Sequence, residues 1–152
     1  MHKIAIVCLS VFAACSICVA SPNASLGPQI LMAALDCMKA HPISISDILA
    51  IKNTLKIPDT KNANCFLACV LKRIGLLNDE GKFDTEKVYA SVPLVFSNKD
   101  DDLAHKSKRV VDACTSVNTD SVSDGNKGCE RARLAFNCLV QNAPKFGLSF
   151  KL

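Results

Sequence analysis

The chain has 152 residues, with 18 Lys or Arg against 14 Asp or Glu, a net charge of +4. That length suits one domain, and 49% apolar residues are ample for a core. The weak positive charge is scattered along the chain, which argues against a nucleic-acid partner.

The first twenty residues stand apart. Met1-His2-Lys3 is a short basic start, Ile4 to Val19 is apolar except for Ser10 and Ser16, and Cys18-Val19-Ala20 places small residues before a cut. The apolar run is shorter than the roughly 20 residues of a membrane helix. The expectation is a secretory signal peptide over residues 1–20, a mature domain over 21–152, and a secreted, extracellular protein. Cleavage removes Cys8, Cys15 and Cys18, so nine cysteines become six: Cys37, Cys65, Cys69, Cys114, Cys129 and Cys138. Loss of Lys3 leaves 17 basic residues against 14 acidic, a net +3. An even cysteine count in an exported chain points to disulfides. Asn23-Ala24-Ser25 is a glycosylation sequon beside the new N-terminus.

The mature chain reads as helices. A first helix over about 27–40 puts Ile30, Leu31, Ala34, Cys37 and Met38 at helical spacing. Pro28 fits its first turn, and His41-Pro42 ends it. Ser46 caps a second helix carrying Ile48, Leu49 and Ile51, closed by Pro58. A third runs from about Asn62 to Ile74, with Gly75 as a stop. Asn78-Asp79-Glu80-Gly81 is a turn without the alternating oxygen ligands of a calcium loop. Asp84 caps a fourth helix to Ala90 or Ser91, and Pro93 is expected to break it, leaving Leu94, Val95 and Phe96 as an apolar link. The acidic residues of the 98–102 segment open a fifth helix, from Asp100 to Val117. Residues 118–125 form a polar loop, and a sixth helix runs from Lys127 to Gln141 until Pro144 stops it. The tail, Lys145 to Leu152, carries Phe146, Leu148 and Phe150 at alternating positions.

The cysteine spacing is Cys37-x27-Cys65-x3-Cys69-x44-Cys114-x14-Cys129-x8-Cys138. Six cysteines allow fifteen pairings. Residues 65 and 69 share one helix face and would seek separate partners, while 129 and 138 lie on opposite faces of another helix. Excluding those two pairs leaves ten arrangements, and in all of them the third and sixth helices are each tied to two places. Zinc is the competing use, but only Cys65-x3-Cys69 approximates ligand spacing, and the mature chain has two histidines, His41 and His105. No metal or other cofactor is expected.

The x3 and x8 spacings, with the leader, the six helices and the length, resemble the insect odorant-binding (pheromone-binding) protein family. Asp79-Glu80-Gly81-Lys82 and Gly128-Cys129-Glu130-Arg131 look alike as well; the x44 gap is at the long end for the family. The resemblance covers the mature chain. It implies the pairing Cys37–Cys69, Cys65–Cys129 and Cys114–Cys138, and an all-α fold of about six helices around an apolar ligand cavity. It implies a carrier of odorants, pheromones or similar lipophiles, or a non-olfactory lipophile carrier or signalling protein of glandular or venom secretions. The expected partners are a small hydrophobic molecule, a transient membrane or receptor contact, and a monomer or weak homodimer.

Candidate wall residues come from the helix faces: Ile30, Ala34, Leu71, Ile74, Val110, Val111, Val117, Phe136 and Leu139, with core packing as the competing role of each. The resemblance also implies a tail folded over the cavity, through Phe146 and Phe150. The absence of Trp suggests an aliphatic pocket. Protonation of His41 or His105 is the natural route to release at acidic pH. No nucleophile elbow and no His-Glu-x-x-His motif is present, so the sequence reads as a non-enzyme. No strongly basic amphipathic helix points to a membrane-active peptide.

Overall fold

A computed structural model describes residues 26–96 and 101–148. The expected signal peptide, the Asn23 sequon, Asn98 to Asp100 of the acidic segment, and Phe150 with the tail end lie outside these residues. Among the described residues six α-helices follow in order: α1 Leu26–Ala40, α2 Ile45–Thr54, α3 Lys61–Arg73, α4 Thr85–Phe96, α5 Asp101–Ala113 and α6 Cys129–Asn142. Short 3-10 turns occupy Thr115–Asn118, Gly125–Lys127 and Ala143–Phe146. The described residues contain no strand, only an isolated antiparallel bridge between Leu77 and Phe83.

Local chemistry sets the helix ends. The cap of α2 is Ser44, not Ser46: Ser44 is extended, and its Oγ accepts the Asp47 N–H at 3.0 Å. Ser46 then falls inside the first turn. Thr60 caps α3 by accepting the Ala63 N–H, and Asp84 caps α4 by accepting the Lys87 N–H. The expected break at Pro93 does not occur, and α4 continues to Phe96. Proline removes one backbone hydrogen bond and crowds the carbonyl four residues back, and packing of α4 along α5 outweighs that cost.

Two other boundaries move. The fifth helix ends at Ala113 rather than Val117, and the chain tightens into the 3-10 turn. Thr115-Ser116-Val117-Asn118 competes with the helix through its side chains: Thr115 Oγ1 donates to Asp112 O, and Asn118 is engaged elsewhere. The sixth helix begins at Cys129, two residues later than expected, because Gly128 has φ +74°. Its first N–H groups are satisfied by Asp124, whose Oδ2 accepts from Cys129 N at 2.6 Å and Glu130 N at 3.3 Å. The tail does not start as an alternating strand. Ala143–Phe146 is a 3-10 turn, and Leu148 N donates back to Ala143 O at 2.9 Å.

At the centre, α3 packs on α6, flanked by α1 on α3 and by α4 on α5. The α3–α6 contact is close because its residues are small: Ala68, Ala132 and Ala135 are almost fully buried. The Ala143–Phe146 turn folds onto α5 and α6. Helix α2 packs only sparsely on the other helices and buries none of its residues. The Asn78–Gly81 turn forms as expected, with Asn78 N donating to Lys82 O at 2.9 Å. It crosses the loop before α6 where Gly81 meets Gly128, and a Cβ on Gly81 would stand 2.8 Å from Gly128 Cα. Both glycines have positive φ, so conformation and space each demand them.

Candidate ligand-binding region

Three disulfides tie these elements together. Cys37–Cys69 joins α1 to α3, Cys65–Cys129 joins α3 to α6, and Cys114–Cys138 joins the end of α5 to α6. The Cα–Cα distances are 5.8, 4.3 and 5.8 Å. This is one of the ten arrangements left by helix geometry and the one implied by the family resemblance. Cys65 and Cys69 share one helix yet take different partners, as do Cys129 and Cys138. Among the described residues no group of three or more His, Cys, Asp or Glu could hold a metal ion.

The apolar side chains fall into two clusters that share α3. The larger contains Cys65, Ala68, Leu77, Phe83, Val88, Val111 and Val117, among others, with Leu71 and Leu139 partly buried against it. The smaller contains Ala33, Cys37, Phe66 and Val70, edged by Ile30, Ala34 and Ile74. The candidate wall residues thus divide: Leu71, Val111, Val117 and Leu139 meet in one group, and Ile30, Ala34 and Ile74 in the other. Val110 is buried on α5, and Phe136 is half-buried on α6. Ile30, Ala34, Leu71, Ile74, Phe136 and Leu139 all keep accessible apolar surface, whereas Val110, Val111 and Val117 are enclosed by protein. Phe146 is half-buried, and the Arg109 guanidinium lies 4.7 Å from its ring centre, which occupies one face of the ring. Met32 and Leu35 of α1 and Ile45 and Leu49 of α2 are exposed.

Polar groups clip the surrounding helices. Tyr89 of α4 donates its hydroxyl to Asp112 of α5, which also receives Lys108 at 2.8 Å. The Lys108 ammonium and then the Tyr89 hydroxyl hold the Asp112 carboxyl below the usual range; Asp112 in turn raises the Tyr89 phenol. Asn118 bonds both polar groups of Phe83, accepting its N–H at 2.7 Å and donating to its carbonyl at 2.8 Å. The buried Arg131 guanidinium donates to Val117 O. His105 is exposed and His41 partly so.

A separate groove of about 470 Å³ lies between the start of α3 and the loop before α6. Its walls include Asp59, Lys61, Asn64, Asp124, Lys127 and Glu130, over the Cys65–Cys129 bridge. Such a lining suits water and ions better than a lipophile. Two polar features escaped sequence reading: the Asn118 clamp on Phe83, which is local geometry without a motif, and Ser107, a buried serine on α5. The signal for Ser107 was its spacing, three and four residues before Val110 and Val111.

The PBP/GOBP family profile matches residues 21–142. The chain belongs to this family. Three solved PBP/GOBP-like structures share its fold. The odorant-binding protein dmelOBP28a of Drosophila melanogaster is 24% identical, with a TM-score of 0.65 over 84% of this chain and 99% of that one. The odorant-binding protein lmigOBP1 of Locusta migratoria is 19% identical, with a TM-score of 0.60 over 79% and 83%. A pheromone-binding protein of the cockroach Leucophaea maderae, in complex with the fluorescent reporter ANS, is 21% identical, with a TM-score of 0.58 over 78% and 92%. No curated protein sequence matches the chain.

Proposed function

We propose that this PBP/GOBP chain is a secreted carrier that holds a small hydrophobic molecule among the apolar faces of α1, α3, α4, α5 and α6. The family match over residues 21–142 carries the reading, and the physical arrangement agrees with it. Burial of the ligand's apolar surface supplies the affinity, at about 25 cal/mol per Å² removed from water. Ile30, Ala34, Leu71, Ile74, Phe136 and Leu139 are the wall residues with surface to offer. Val110, Val111 and Val117 back that wall, and Phe146 and Leu148 close it from the tail side. The disulfides keep α1, α3, α5 and α6 in place when the space between them is filled or emptied. Transport rather than chemistry is the role, and the leader over residues 1–20 delivers the protein outside the cell.

The test is uptake of ANS by the oxidised protein from residue 21 onward, followed by displacement with long-chain alcohols, esters and fatty acids. The expected result is saturable uptake and displacement by several lipophiles. A folded, fully oxidised protein that takes up neither ANS nor any lipophile overturns the reading. Repeating the titration between pH 7 and pH 5 tests release through His41 and His105, which requires weaker binding at the lower pH.

A further inference from the structure

We propose that the polar groove over the Cys65–Cys129 bridge is a thiol–disulfide exchange site, where a small anionic thiol such as glutathione opens this bridge ahead of the other two. The proposal stands apart from the carrier reading, because the groove is not part of the apolar wall.

The space for a guest is there. The groove measures about 470 Å³, a volume that suits a small molecule, and both Cys65 and Cys129 line it. They keep 8% and 7% of their surface exposed. The charges around them are unevenly committed. Asp59 pairs with Arg133, Asp124 accepts the N–H groups of Cys129 and Glu130, and Glu130 accepts the N–H and the hydroxyl of Ser123. The ammonium groups of Lys61 and Lys127, which also line the groove, have no partner among the described residues. Two uncommitted cations beside a disulfide draw an anionic thiolate toward it.

Helix placement decides which bridge yields. Exchange is faster when the expelled sulfur leaves as a stable thiolate. A helix N-terminus and a nearby lysine favour a thiolate, whereas a helix C-terminus and apolar burial oppose it. Cys129 is the first residue of α6, two residues after Lys127. Cys37, Cys69 and Cys138 lie in the C-terminal halves of their helices, and Cys114 follows the end of α5. Cys69 and Cys138 are the more exposed, but attack on either expels Cys37 or Cys114, each 0% exposed. In the groove the incoming thiolate attacks Cys65 Sγ. A new S–S bond forms there, and the old one breaks with its electron pair on Cys129 Sγ. A second thiolate then takes the external sulfur as an oxidised thiol dimer and leaves Cys65 as a thiolate. Two small thiols are oxidised, one bridge is reduced, and the protons the thiols lose pass to Cys65 and Cys129.

The experiment treats the oxidised protein from residue 21 onward with reduced glutathione at low salt, quenches samples by alkylation, and maps the cysteines on peptides. Cys65 and Cys129 should open first, with glutathione on Cys65 and the alkyl label on Cys129. Lys61→Glu combined with Lys127→Glu should slow that opening by about three- to tenfold, and should speed opening by cysteamine, a cationic thiol. Lys61→Gln with Lys127→Gln is the milder pair, and should shift both rates in the same senses by smaller factors. It decides the matter where the charge reversal fails to fold. A first opening at Cys37–Cys69 or Cys114–Cys138 overturns the site. Simultaneous opening of all three bridges overturns it as well, by assigning reduction to global unfolding. So does a pair of lysine substitutions that moves the two thiols in the same direction, which marks a loosened fold rather than a lost attraction.

Discussion

Asn118 shows how one side chain can hold two segments that lie far apart in sequence. Its amide occupies both the N–H and the C=O of Phe83, at 2.7 and 2.8 Å. Phe83 is 3% exposed, so water cannot readily replace either bond. Asn118→Ala should therefore destabilise the protein by about 2 kcal/mol, read as a lower urea midpoint with an unchanged slope. Glu130 gives a pH-dependent counterpart. Its carboxylate accepts both the hydroxyl and the N–H of Ser123, and the hydroxyl contact is the larger cause holding its pKa below the ordinary glutamate value. A lowered folded-state pKa means the tether is complete above the unfolded value and is lost as pH falls through the folded one. Amide exchange at Ser123, corrected for its intrinsic pH dependence, should accelerate in that acidic window. In Glu130→Gln that corrected acceleration should disappear.

The helices differ in how much of their stability is their own. Helix α2 has a capping serine and a left-handed Leu55 at its end (φ +54°), yet no residue of it is fully buried. Its amides should exchange well before those of α3 and α6. Ser44→Ala should speed that exchange by the equivalent of about 1 kcal/mol while leaving the global unfolding midpoint almost unchanged. The existence and order of all six helices were legible in the sequence, because apolar spacing and caps are local. Two of the boundaries that moved involve nonlocal terms. Pro93 lies in a helix supported by α5, and the end of α5 gives way to a turn held by Asn118 on Phe83 and by Arg131 on Val117 O. Ser44 and Ser46 offer equivalent cap chemistry, and only the backbone distinguishes them.

For the whole molecule the disulfides set the scale of stability. Cys65–Cys129 spans 64 residues, against 32 and 24 for the other two bridges. It also fastens the central α3–α6 contact. Replacing both cysteines with alanine should cost on the order of 4 kcal/mol, measured as a lower denaturant midpoint, and more than removing either other pair. The candidate site was legible only in outline. Helical spacing found inward-facing residues such as Leu71 and Val111, but spacing cannot divide them between two clusters that share α3. Nor can it show that Ser107, a polar residue on an apolar face, lacks a partner. The crossing of Gly81 and Gly128 bears on how the protein reaches its native form. Gly128 immediately precedes Cys129, so the contact that only two glycines permit also sets the thiol of residue 129 opposite that of residue 65. In the native form the crossing thus brings the two halves of the Cys65–Cys129 bond together. Refolding of reduced Gly81→Ala in a glutathione buffer should give a lower yield of native bridges and more scrambled isomers on peptide mapping, because the two loops can no longer close.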